Sequence, residues 1–109
     1  MISATFREHG VRLAIAAALS LYLGGARAAE TKITIDNFTF TPAQLKLKVG
    51  DTVTWTNHDD IPHTVVSAGK FRSKAMDTDG SFSFTFTAAG DYQYFCSLHP
   101  HMTGTIKVE

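Results

Sequence analysis

From residue 32 onward the apolar positions of this chain recur with period two. Ile33 and Ile35 alternate with Lys32 and Thr34, and Leu45, Leu47 and Val49 alternate with Lys46 and Lys48. Val53 and Trp55 stand among Thr52, Thr54 and Thr56. The same alternation returns in Phe82, Phe84 and Phe86 against Ser81, Ser83 and Thr85, and in Ile106 and Val108 against Thr105 and Lys107. Each run predicts a strand with one wet face and one buried face. Turn signals fall between the runs: Gly50-Asp51, Asn57 to Pro62, Asp77 to Gly80, and Ala89-Gly90-Asp91. Strands at that spacing, with no long amphipathic helix, predict an all-β sandwich or barrel. The segment from Lys70 to Asp79 has no clear period and reads as a long connection, of the kind that parallel pairing or a sheet crossover requires.

The N-terminus follows a different pattern. Arg7 and Arg12 precede an apolar run from Leu13 to Leu23, after which Gly24, Gly25 and the triplet Ala26-Arg27-Ala28 supply small residues. This is the layout of a secretory signal peptide. The run, 11 residues from Leu13 to Leu23, falls short of the ~20 that a membrane-spanning helix needs. Residues 1–29 are therefore expected to be a signal peptide and residues 30–109 the folded domain, exported without membrane insertion.

Composition narrows the domain further. The 80 residues from Glu30 onward carry 7 Lys and Arg against 9 Asp and Glu, so no basic field for nucleic acid exists. A single cysteine cannot form an internal disulfide. At this size the core must be dense or assisted by a metal, and seven Phe, two Tyr and one Trp supply the density.

The chemistry is concentrated in Cys96-Ser97-Leu98-His99-Pro100-His101-Met102. A tight loop after the strand ending near Cys96 would aim a thiolate, an imidazole and a thioether at one point. His63, in the turn Asp60-Ile61-Pro62-His63, is the candidate fourth ligand. Two His, one Cys and a weak Met form the donor set of blue-copper electron-transfer sites. Taken singly, Cys96 would be a small buried hydrophobe, Met102 gap filler and each histidine a surface group. Their clustering favours a metal, and His58 and His101 read as solvent-facing.

With those residues in place, the chain resembles the cupredoxins, the small blue copper proteins, and within them the amicyanin-like branch. The resemblance rests on Val49-Gly50-Asp51-Thr52-Val53-Thr54-Trp55, on Pro62-His63, on Phe84-Thr85-Phe86-Thr87-Ala88-Ala89-Gly90, and on the short Cys96-x-x-His99-x-x-Met102 loop. It implies a Greek-key β-sandwich of about eight strands in mixed sheets, with copper at one end. His63, Cys96, His99 and Met102 would be the ligands and His99 the exposed exit for electrons. It also implies a monomeric one-electron carrier that is not an enzyme, cycling between Cu(I) and Cu(II) and serving a periplasmic c-type cytochrome or a dehydrogenase.

Three positions depart from the family pattern. Leu98 stands where related loops carry Pro; if its N–H bonds the Cys96 sulfur, Leu98→Pro lowers the reduction potential. Thr64 replaces a usual Asn, which predicts a weaker or differently made link between the two ligand loops. His101 replaces Phe beside the expected docking face, which predicts pH-sensitive docking. Lys46, Lys48, Lys70, Arg72 and Lys74 are a candidate basic docking region or simply solvated strand faces. Copper buffering or delivery, zinc binding, and an immunoglobulin-like recognition sandwich are the remaining alternatives for the ligand set and fold.

Overall fold

The computed structural model describes residues 28–109. The expected signal sequence up to residue 27 lies outside them. Nine short strands follow in order: β1 (Glu30–Asp36), β2 (Thr39–Thr41), β3 (Gln44–Leu47), β4 (Thr52–Asn57), β5 (Val66–Ser67), β6 (Phe71–Arg72), β7 (Ser81–Thr85), β8 (Gly90–Phe95) and β9 (Thr103–Val108). They form two sheets, ordered β2-β1-β4-β7 and β3-β9-β8-β5-β6. Two pairings are parallel, β1 with β4 and β3 with β9, and the rest are antiparallel. The sheets are thus mixed, as expected, and the strand count is nine where the sequence implied about eight.

The period-two pattern decides which face each strand buries. On β4 the inward residues Val53 and Trp55 are fully buried, while the three threonines line the other face. There Thr52 and Thr54 exchange hydroxyl hydrogen bonds with Thr85 and Ser83 of β7, at 2.7 and 2.6 Å. Trp55 sits at the centre of the core, with Phe71, Phe82 and Tyr94 at ring-centroid distances of 5.6, 5.7 and 5.5 Å. Gly104 on β9 makes room for this cluster. A Cβ there would overlap the Tyr94 ring, so this position requires glycine for close approach and not for turn geometry.

Three strands escape the pattern because they are too short to show a period. β2, β5 and β6 have three, two and two residues. The segment read as a long connection holds β6 at its start and Met76, which bridges to His63, in its middle. It does cross between sheets, leading from β6 in one to β7 in the other. The candidate basic region does not assemble. Lys46 and Lys48 lie on the β3 side and Lys70 and Arg72 on the β6 side, opposite edges of one sheet, and Lys46 reaches Glu109 at 3.8 Å.

Candidate metal centre

Two loops at one end of the sandwich carry the four predicted residues. The first runs from Asn57, at the end of β4, to Thr64. Asn57 is fully buried, and its side-chain amide donates to the carbonyls of Ile61 and Met76, both at 2.9 Å, while its Oδ1 accepts from the Asp59 N–H at 2.9 Å. His63 exchanges two backbone hydrogen bonds with Met76, at 3.2 and 2.8 Å. These bonds leave His63 with 0% exposure and its ring aimed into the end of the core.

The second loop joins β8 to β9. Its seven residues close on themselves: His99 N–H donates to Cys96 C=O at 3.2 Å, Met102 N–H to His99 C=O at 3.0 Å, and Cys96 N–H to Met102 C=O at 3.1 Å. Cys96 and Met102 are buried members of the core cluster, and His99 is half-buried. His58 and His101 are exposed, as the sequence predicts.

The loops bring His63, Cys96 and His99 together. The two Nδ1 atoms lie 3.1 Å apart and the Cys96 sulfur lies 3.7 Å from each. A point equidistant from these three atoms sits about 2 Å from each, within the ~2.0–2.3 Å of metal–nitrogen and metal–sulfur bonds. The donor set therefore fits one thiophilic first-row ion without rearrangement.

The protonation pattern fits as well. The His63 Nε2–H donates to Asp59 Oδ2 at 2.8 Å, which leaves Nδ1 as a bare lone pair facing the sulfur. Burial works against the charged form of Asp59, yet hydrogen bonds from the Phe38 N–H, His63 and the Asn37 N–H hold its carboxyl below the usual range. Burial likewise opposes ionisation of Cys96, but hydrogen bonds led by the Thr64 N–H bring its thiol down from 9.0 to about 6. At neutral pH the sulfur is a thiolate, the form that binds metal.

Two residues at this end were not legible in the sequence. Asp59 is one, and its carboxylate does more than orient His63: Oδ1 accepts from Asn37 N–H at 2.6 Å and Oδ2 from Phe38 N–H at 2.9 Å. Asn37 and Phe38 are the two central residues of the β1–β2 hairpin, with φ of 51° and 57°. Positive φ at both is the type I′ arrangement, common for Asn and costly for Phe. Asp59 holds that conformation in place. Phe38 is the second, since it presents its ring edge-on to His63 and His99, at centroid distances of 5.4 and 5.1 Å, while remaining 48% exposed. The spacing of Asp59 four residues before His63 and the turn-forming Asn37 were the available signals.

One sequence expectation is corrected here and another is resolved. The sulfur receives its hydrogen bonds from Thr64, through N–H at 3.4 Å and Oγ1 at 3.7 Å, and Leu98 N–H is not among the donors. Leu98 instead turns outward with 53% exposure. Of the two outcomes expected at Thr64, a weaker or a differently made link, the structure shows the second: its hydroxyl accepts from Ser97 N–H at 2.8 Å and shares a hydrogen bond with Ser97 Oγ at 2.8 Å.

Known proteins agree with this geometry. Residues 27–109 match the model of the copper binding proteins of the plastocyanin/azurin family. The chain is 36% identical to amicyanin from Paracoccus denitrificans, over 77% of this chain and 70% of that one. It is 34% identical to the chloroplastic plastocyanin of Tetradesmus obliquus, over 77% and 69% of the two chains. Among solved structures, an amicyanin mutant in its Cu(I) form superposes with a TM-score of 0.70 at 34% identity, covering 73% of this chain and 82% of that one. With a buried thiolate and two imidazole nitrogens already placed around one point, this chain belongs to the copper-binding plastocyanin/azurin family, the cupredoxins, and copper is its expected cofactor.

Proposed function

We propose that the protein is a periplasmic type 1 copper protein that carries one electron at a time between soluble redox partners. His63 Nδ1, the Cys96 thiolate and His99 Nδ1 would hold the ion, with the Met102 thioether as the weak fourth donor. The observation that carries this reading is the triangle of three donor atoms, spaced so that one point lies about 2 Å from each.

When bound, copper supplies a one-electron couple between Cu(I) and Cu(II). The chain's own residues would make that exchange cheap in reorganisation. Asp59 fixes the His63 ring, Thr64 fixes the sulfur, and the closed Cys96–Met102 loop fixes His99, so little has to move when the charge changes. The core behind Cys96 excludes water from the thiolate. Half-buried His99 offers the path outward, flanked by exposed Phe38 and Leu98. Four protein donors leave no open position for a substrate, which is the arrangement of a carrier and not of a catalyst. Amicyanin structures in the Cu(I) and the oxidised state superpose on this chain with TM-scores of 0.70 and 0.71, consistent with one fold serving both states. Export follows from the signal-like pattern of residues 1–29.

The test is repeated reduction and reoxidation of the copper-loaded protein by a reduced and an oxidised c-type cytochrome. Fast exchange over many cycles with copper retained supports the carrier. Loss of copper to an apo acceptor, with slow electron exchange, supports buffering or delivery in its place.

A further inference from the structure

Asp51 is an almost fully buried carboxylate, 8% exposed, in the turn between β3 and β4. Among the described residues no side-chain cation lies within ion-pair distance of it. Its two oxygens are taken by backbone: Oδ2 accepts from Lys48 N–H at 3.0 Å, and Oδ1 accepts from Ala29 N–H at 2.9 Å. Ala29 is held a second time, because its carbonyl accepts from Thr52 N–H at 3.0 Å and so opens the parallel β1–β4 ladder. Removal of Ala29 would leave both Asp51 Oδ1 and the Thr52 N–H without these partners.

The sequence around Ala29 offers two places to cut. Cleavage after Ala29 puts Arg27 three residues before the cut, where the small-x-small rule wants a small residue. Cleavage after Ala28 puts Ala26 and Ala28 at the two positions that rule names. We propose that the exported protein is processed between Ala28 and Ala29, and that the new α-ammonium of Ala29 forms a fixed ion pair with the carboxylate of Asp51. This moves the expected domain start from Glu30 to Ala29 and rests on the export reading given above. The step is a hydrolysis by a signal peptidase. Water adds across the Ala28–Ala29 peptide bond, the carboxylate leaves with the signal peptide, and the amine on Ala29 is protonated at neutral pH.

The carboxylate suits that role. Hydrogen bonds from the Lys48 and Ala29 N–H groups hold Asp51 below the ordinary carboxyl range, so it is already ionised throughout the range in which the amine titrates. The other charged groups facing the same cleft are Lys46, Lys48 and Glu109. Lys46 is engaged with Glu109, and all three side chains are exposed, so solvent screens them more than it screens Asp51. An amide donor replaced by an ammonium gains charge assistance at the same 2.9 Å position.

The experiment is expression of the full 109-residue chain in a Gram-negative bacterium, followed by the intact mass of the protein in the periplasmic fraction. A mass corresponding to residues 29–109 is expected. A mass of 30–109 overturns the proposal and leaves export standing, and an unprocessed chain in the cytoplasm overturns both. The ion pair is read on the processed protein from the pH dependence of N-terminal acylation. An α-amine pKa about one unit or more above the ordinary ~7.7–8.0, returning toward it in Asp51→Asn, supports the pair. An ordinary value in the parent protein overturns it.

Discussion

The two ligand loops sit side by side and are built on opposite plans. The upstream loop is held from outside, by the Asn57 side chain, by the backbone bridge to Met76, and by the Asp59 carboxylate that ties His63 to the β1–β2 hairpin. The downstream loop is held from within, by three backbone hydrogen bonds among Cys96, His99 and Met102. One loop borrows its rigidity from several strands and buries its histidine completely. The other is rigid because it is short, and leaves its histidine half-exposed. The difference teaches that one imidazole is positioned by the fold while the other is positioned by loop length, so side-chain substitutions should injure the first far more than the second.

The largest expected effect is that of Asp59→Ala. It frees the His63 Nε2–H and strips two N–H groups in the hairpin of their acceptor. Loss of such an outer partner typically costs ~10–100-fold in metal affinity. Competition with a copper chelator should show a loss in that range, and an unchanged affinity would mean that the upstream loop does not depend on its outside support.

Thr64→Val tests the hydroxyl link between the loops. It removes the hydroxyl from Ser97 and from the sulfur but keeps the Thr64 N–H. Loss of the bond to the Ser97 N–H should cost about 0.5–1.5 kcal/mol in denaturant unfolding. Fewer hydrogen bonds to the thiolate leave it a stronger donor to Cu(II), so the reduction potential should fall in voltammetry.

Protonation offers a third handle. The Cys96 thiol is depressed from 9.0 to about 6 in the fold. A depressed acid contributes stability that is complete above the unfolded pKa and is lost as pH falls through the folded one. Thermal unfolding of the copper-free protein, compared with Cys96→Ala, should show the cysteine's advantage growing from pH 6 to 9. A flat difference would mean that the hydrogen bonds led by the Thr64 N–H do not favour the thiolate.

The smallest effect belongs to Leu98→Pro. The Leu98 N–H does not reach the sulfur and the side chain faces solvent, so the potential should move less than in Thr64→Val. A larger shift would show that the downstream loop, too, supports the thiolate through its backbone.

The contrast between the loops also explains what was legible in the sequence. The downstream ligands lie within seven residues, so spacing alone revealed them, and the long strands revealed themselves through alternation. His63 was found by chemistry and by the turn around it. Asp59 and Phe38 were not found: the four-residue spacing of Asp59 from His63 was a signal left unread, while the hold of Asp59 on the hairpin and the contacts of Phe38 with both histidines join residues far apart in the chain. β5 and β6, with two residues each, are too short for any period to mark them. Thr64 was legible only in part: its size left open a weaker or a differently made link, and the approach of Ser97 decides that a hydroxyl spans the gap.

The central claim is that Cys96, His63 and His99 are placed to take copper as a thiolate-centred redox site. It is tested most directly by adding one equivalent of Cu(II) to the purified metal-free protein and recording visible absorption and electron paramagnetic resonance spectra, with Cys96→Ala in parallel. The account predicts stoichiometric binding with an intense thiolate-to-copper band that bleaches with ascorbate, returns on oxidation, and is missing from Cys96→Ala. Copper bound without that band, or a band that survives the loss of Cys96, would contradict it.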